Sequence, residues 1–139
     1  MPSPRIAASG DANAYPIGNP SSVPIRCVIV DDNSFFLDGA ADLLRREGMD
    51  VVGIASNGVD AIRLVEELRP DVTLVDIDLG DEDGFELARK LSDTSRVILV
   101  STHSEEDLAD LIAASPALGF VPKTRLSAKT ILDTLERAA

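Results

Sequence analysis

The sequence has no tryptophan, one tyrosine, one cysteine and one histidine, and aromatic residues make up 4% of its 139 residues. A lone Cys27 cannot close an intrachain disulfide, and its place within Arg26-Cys-Val-Ile-Val30 marks it as a small buried hydrophobe rather than a reactive thiol. Basic residues are scarce as well: 13 Lys and Arg face 24 Asp and Glu, for a formal charge of -11. Nucleic-acid binders hold the phosphate backbone with clustered Lys and Arg, so a chain of this charge is not expected to bind it. No apolar run approaches the roughly 20 residues that span a bilayer. The first residues also lack the basic and apolar segments of a secretion signal. A reducing, cytoplasmic setting without membrane contact is therefore expected. The glycines form neither GxGxxG nor a P-loop, which leaves nucleotide binding without support.

What is present suffices for one core: 45% of the residues are hydrophobic, and the length fits one domain with a tail. Residues 1–24 mix Pro, Ser, Ala, Gly and Asn without apolar periodicity. Such a stretch buries too little to offset its ordering entropy, so it reads as a flexible leader, with 25–139 forming the domain. From there, apolar runs alternate with helical patterns. The runs are CVIVDD (27–32), VVGIAS (51–56), VTLVDID (72–78), RVILVST (96–102) and LGFVPK (118–123). Between them, 34–46 places Phe36, Leu37, Ala40, Ala41 and Leu44 on one helical face, and Asn57 is positioned to cap a helix carrying Val59, Ile62, Val65 and Leu68 before Pro70 stops it. Weaker helices are expected at 84–92, 105–114 and 127–137, the last capped by Ser127 with Ile131, Leu132 and Leu135 inside. Five strands with intervening helices imply a parallel sheet. Right-handed crossovers between units this short give an open, doubly wound α/β sheet with helices on both faces.

Ligands of such sheets bind beyond the carboxyl ends of the strands. That edge collects Asp31 and Asp32 after the first strand, Asp76 at the third, Ser101 at the fourth and Lys123 past the fifth. Converging carboxylates repel one another and raise at least one pKa unless a cation or a lysine offsets the charge. Oxygen-only ligands in small number suit Mg²⁺, or Mn²⁺ in its place, which keeps several waters and shares the remaining positions with a phosphoryl oxygen. A carboxylate beside such an ion can attack phosphorus and form an acyl phosphate. Any one of these residues alone would read as a solvated loop residue; the ordered set over about a hundred residues does not.

With these motifs in hand, residues 26–137 resemble the receiver domain of bacterial two-component response regulators. The resemblance implies a flavodoxin-like (βα)₅ fold with strand order 2-1-3-4-5, and phosphorylation by a histidine kinase or phosphotransfer protein with Mg²⁺. In VIVDDN it assigns Asp32 as a direct metal ligand and Asp31 as a neighbour acting through metal-bound water. In LVDIDLGDEDG it assigns Asp76 as phosphoacceptor and metal ligand, the Asp78 backbone carbonyl as a further ligand, and Asp83-Gly84 as the closure of the loop. In ILVSTH and LGFVPK it makes Ser101 the phosphoryl-binding hydroxyl, Lys123 its cationic partner and Phe120 the aromatic rotamer switch. Two positions depart from the pattern. Gly80 replaces a usual proline and loosens the loop, and Thr102 replaces a small residue and crowds the path to phosphorus.

The remaining polar residues read more plainly. His103 reads as a solvated loop histidine, Asp81-Glu82-Asp83 as a charged turn, and Glu105-Glu106-Asp107 as the acidic first turn of a helix. Asp76-Ile-Asp78 also resembles the signature of haloacid-dehalogenase-type phosphatases, but that family places its nucleophile after the first strand and needs a cap domain. A flavin carrier of similar topology lacks support because no Ser/Thr/Gly-rich loop follows the first strand. The chain is thus expected to be a stand-alone signalling receiver, with only self-phosphorylation and autodephosphorylation as chemistry. Its output is expected through a downstream partner or second copy docked at the fourth- and fifth-strand face.

Overall fold

In the computed structural model, which describes residues 24–138, the alternating pattern becomes a five-stranded, all-parallel sheet. The expected leader at 1–24 lies outside the described residues except for Pro24. Its strands are β1 (Arg26–Val30), β2 (Asp50–Ala55), β3 (Val72–Asp76), β6 (Arg96–Ser101) and β7 (Gly119–Pro122), in the order β2-β1-β3-β6-β7. Two short strands, β4 (Asp78–Leu79) and β5 (Glu82–Asp83), form a separate antiparallel hairpin after β3. The five long strands therefore reproduce the expected 2-1-3-4-5 order. The helices are α1 (Ser34–Arg46), α2 (Gly58–Leu68), α3 (Gly84–Leu91), α4 (Ala109–Ala113) and α5 (Ala128–Ala138).

The central strands are continuous in Val, Ile and Leu because helices cover both of their faces. Successive residues point to opposite sides, so each strand feeds two cores. Cys27, Ile29, Leu74, Ile98 and Val100 meet α1 and α5 through Leu37, Ala40, Leu44 and Ile131. Val28, Val30, Val75 and Leu99 meet α2 and α3 through Ala61, Val65, Leu87 and Ala88. Short polar side chains begin the helices by accepting otherwise unpaired backbone N–H groups. Asn33 takes Phe36 N at 3.2 Å, Asn57 takes Asp60 N at 2.9 Å, and Asp83 takes Phe85 N at 2.9 Å. Ser127 takes Thr130 N at 3.1 Å at the start of α5, as its sequence position suggested.

Several expectations are corrected. Val59 is 74% exposed and Leu132 40%, so neither belongs to an inner face. In α2 the small Gly58 and Ala61 face inward with Val65, which brings the helix close and leaves Val59 outside. In α5 the inner face is Ala128, Ile131, Thr134 and Leu135. The run expected as a strand over 72–78 breaks after Asp76, where Gly80, at φ +64°, takes the first central position of a two-residue hairpin turn. Glycine at that position is the pattern of a type II′ turn, and proline, with φ fixed near −65°, cannot occupy it. The helix expected over 105–114 is a 3₁₀ turn at Glu106–Leu108 followed by the five residues of α4, with no residue buried in either. Among the described residues, no helix is long and apolar enough to cross a membrane.

Candidate metal centre at the carboxyl edge

β1 and β3 are neighbours, so the residues that follow or end them meet at one edge of the sheet. Asp31 and Asp32 lie just past β1, and Asp76 is the last residue of β3. One carboxylate oxygen from each of the three lies within 4.8 Å of the others. Asp31 and Asp76 are 1% and 4% exposed, whereas Asp32 faces solvent. Burying two carboxylates side by side is costly without compensation. The compensation comes from Lys123, just past β7, whose Nζ lies 2.6 Å from Asp31 Oδ2 and 3.4 Å from Asp76 Oδ2. The same ammonium stands 4.3 Å from the centre of the Phe36 ring, a cation–π contact that the sequence reading did not foresee.

The compensation is incomplete. Burial first, and then the Asp31 charge, push the Asp76 carboxyl up to about 6, against the opposing pull of Lys123 and the Asp78 N–H. Burial alone would lower the Lys123 pKa, but the close contact with Asp31 and the charges of Asp76 and Asp31 outweigh it and raise it. Asp31 Oδ2 is fully buried without a hydrogen-bond partner, and its charge is met only by the Lys123 ion pair. Asp31 Oδ1 is already taken by Asn33 N at 2.9 Å. Three hard oxygen donors, one of them exposed and one buried without a hydrogen-bond partner, fit a small divalent cation such as Mg²⁺ or Mn²⁺.

The other expected site residues surround this cluster. Ser101 ends β6 beside β3 and is 0% exposed, and its Oγ accepts His103 N at 3.0 Å. Asp78 donates its N–H to Asp76 Oδ1 at 3.3 Å, while its side chain turns outward to His103 Nε2 at 3.1 Å. His103 is an exposed loop residue, as expected, with its ring against the Asp78 carboxylate at the rim. Gly84 N bonds Ile77 O at 2.9 Å and closes the loop at Asp83-Gly84. Phe120 lies on β7 opposite Leu99, 7% exposed, in the same core cluster as Phe85, against which Leu108 and Ile112 also pack. It already points inward. Phe35, in the first turn of α1 near Asp32, is 90% exposed, and no periodicity marks it because it sits off the helix's inner face.

Known proteins share this fold. The signal receiver domain of the response regulator NarL from Mycobacterium tuberculosis superposes with a TM-score of 0.71 at 28% identity, covering 83% of this chain and 96% of that one. The response regulator domain of Thermotoga maritima CheB gives 0.67 at 28% identity, covering 84% and 94%. Among curated relatives, the transcriptional regulatory protein LiaR of Bacillus subtilis is 33% identical over 120 residues, which is 83% of this chain and 56% of LiaR. A protein-glutamate methylesterase/protein-glutamine glutaminase of Myxococcus xanthus is 38% identical over 106 residues, 70% of this chain and 29% of the relative. The chain therefore spans only part of the length of these relatives, and what they share with it is the domain that carries the acidic cluster. Residues 27–136 match the response regulator receiver domain, and the chain belongs to that family of two-component signalling domains.

Proposed function

We propose that this chain is a phosphorylation-controlled switch in which Asp76 accepts a phosphoryl group from a phosphohistidine on a kinase or phosphotransfer protein. The observation that carries the reading is the meeting of Asp31, Asp32 and Asp76 within 4.8 Å, with Lys123 inserted among them. A divalent cation bound by Asp32, Asp76 and the Asp78 carbonyl, with Asp31 acting through water, would neutralise charge on the transferring phosphoryl oxygens. An Asp76 carboxylate oxygen attacks phosphorus, the P–N bond to the donor imidazole breaks, and the imidazole keeps the bonding pair and takes up a proton. Lys123 is already placed to hold a phosphoryl oxygen, and in doing so it gives up part of its pairing with Asp31. Ser101 would turn its hydroxyl from the His103 N–H toward the phosphoryl group.

That exchange links the site to a surface. Phe120 lies on β7, the strand paired with the β6 that ends in Ser101, and an open pocket of about 430 Å³ runs between the hairpin, α3 and the weakly anchored α4, lined by Ile77, Asp78, Phe85, His103, Leu108 and Leu111. With no buried residue of its own, α4 has both the freedom and the space to shift. A partner or second copy docked on the face of β6, β7, α4 and α5 would distinguish the two states by their different surfaces, so both exist before phosphorylation.

Incubation with a small acyl-phosphate donor and Mg²⁺, followed by intact-mass measurement, tests the chemistry. One phosphoryl adduct is expected for the wild type, and none for Asp76→Ala or without divalent cation. An equal adduct on Asp76→Ala would reject the assignment.

A further inference from the structure

The hairpin that follows Asp76 has an attachment of its own. In it Asp78 lies opposite Asp83, and Leu79 opposite Glu82. Cross-strand partners share a face. Leu79 is 3% exposed, within the same core as Ala61 of α2 and Leu87 of α3. Glu82, on the same face, reaches α2, where its Oε1 accepts the Gly58 N–H at 2.9 Å. Gly58 is the first residue of α2, so this N–H is one that the helix cannot satisfy internally, and the carboxylate also meets the positive end of the helix dipole. A Cβ at Gly58 would stand 2.5 Å from that oxygen, so a larger residue there would displace the Glu82 carboxylate from its present position. Asn57 serves a different N–H of the same helix end, that of Asp60. The start of α2 therefore has a local cap and a second acceptor supplied by the hairpin.

The hairpin also touches the acidic cluster. A Cβ at Gly80 would lie 3.2 Å from Asp32 Oδ2, and the Asp78 N–H bonds Asp76 Oδ1. Strands of two residues are too short to hold their own position. Their place relative to Asp31, Asp32 and Asp76 is set by what anchors them. Leu79 and the Gly84 N to Ile77 O bond fix the base, Asp78 meets His103 at the exposed rim, and Glu82 ties the hairpin to α2. The turn whose glycine was expected to loosen it is thus held by a side chain that the sequence showed only as one acid among three.

We infer that Glu82 is a positioning residue for the divalent-cation site: clamped to the first turn of α2, it holds the Asp78–Asp83 hairpin, and with it the Asp78 backbone and Gly80, in register with Asp31, Asp32 and Asp76. This rests on reading the acidic cluster as a cation site. The acceptor atom, rather than the charge, does the positioning. Glutamine at 82 therefore preserves it and alanine removes it.

The test is titration of the full chain with Mn²⁺, followed by electron paramagnetic resonance of the free ion, with Mg²⁺ competition. Glu82→Ala is expected to weaken the cation by about three- to tenfold, less than the loss of a group bonded directly to a ligand side chain, because it acts through backbone. Glu82→Gln and Asn57→Ala are expected to stay within about twofold of wild type, the latter because it weakens the same helix end without releasing the hairpin. Wild-type affinity in Glu82→Ala overturns the inference. So does a loss in Glu82→Gln equal to that of alanine, which would make the effect one of charge. An equal loss in Asn57→Ala overturns it too, because Glu82 would then act only through helix stability. Asp32→Ala separates the two levels: cation binding that does not depend on Asp32 rejects the site itself, whereas Asp32-dependent binding indifferent to Glu82 rejects only the positioning role.

Discussion

Val30 and Asp31 are consecutive, and each is 1% exposed, yet burial does opposite things at the two positions. Val30 sits in an alkyl core with Val75, Leu99 and Ala61, where removal from water is favourable in proportion to the area covered. One residue later the chain buries a carboxylate beside a second one, with one lysine between two acids. The interior of the sheet stabilises the fold. Its carboxyl edge gathers like charges that the rest of the molecule holds together, with Lys123 as their counter-charge. Part of the cost of bringing the carboxylates together at that edge is met by the packing of the strands beneath it.

The comparison breaks most visibly at Leu99. Its side chain is fully buried on β6, and Leu99→Ala is expected to lower stability by about 3–4 kcal/mol through lost transfer energy and a cavity. Denaturant melts with and without Mg²⁺ should give the same loss, because the cavity is indifferent to the edge. A loss that Mg²⁺ abolishes would show that the two regions are not separable. The next largest effect is at Lys123, which is 14% exposed and pairs with both buried acids. Lys123→Met is expected to cost about 2 kcal/mol in metal-free protein at neutral pH, since two carboxylates then lack their cation. Here Mg²⁺ should restore most of the loss, through binding to the folded state and neutralisation of the cluster. A penalty equal in both conditions would place the role of Lys123 in packing against Phe36 instead.

The same division explains what was legible in the sequence. The five long strands could be read because buried parallel strands are uninterrupted apolar runs, and the residues at their ends could be read because the topology sends all those ends to one edge. Asn57 and Ser127 announced themselves as caps because a short polar side chain before a periodic segment has few other uses. What escaped depends on distance through space. Glu82 binding Gly58, Glu47 accepting Ala128 N at 2.7 Å, and Lys123 over Phe36 join residues far apart in the chain, with no spacing rule to reveal them. Val59 and Leu132 were assigned inward because hydrophobicity was weighed over size, whereas the close approach of α2 selected Gly58 and Ala61. The segment 105–114 reads in sequence as one of the weaker helices, and only part of it is α-helical. It has no buried anchor, so packing does not extend the helix that propensity would allow.

The smallest effect is the most specific to the edge. Asp76 is held near pH 6 instead of the ordinary 3.8, burial being the first cause and Asp31 the second. Because its folded pKa is raised, the folded protein binds more protons than the unfolded chain between these values, so metal-free stability falls as pH rises through this window and levels off above about 6. Asp76→Asn removes the titrating charge while keeping the shape. It is therefore expected to be more stable than wild type above about pH 6, by on the order of 1–2 kcal/mol, and to lose that advantage as the pH approaches 4. Thermal melts of both proteins in chelator across pH 4–8 measure the difference directly. Saturating Mg²⁺ at neutral pH should reduce or reverse it, because the cation favours the carboxylate that the variant lacks. An advantage independent of pH would mean that Asp76 is charged at an ordinary pKa and that the edge carries no stored repulsion; an advantage that fades with acid and with Mg²⁺ ties both responses to the same buried oxygens.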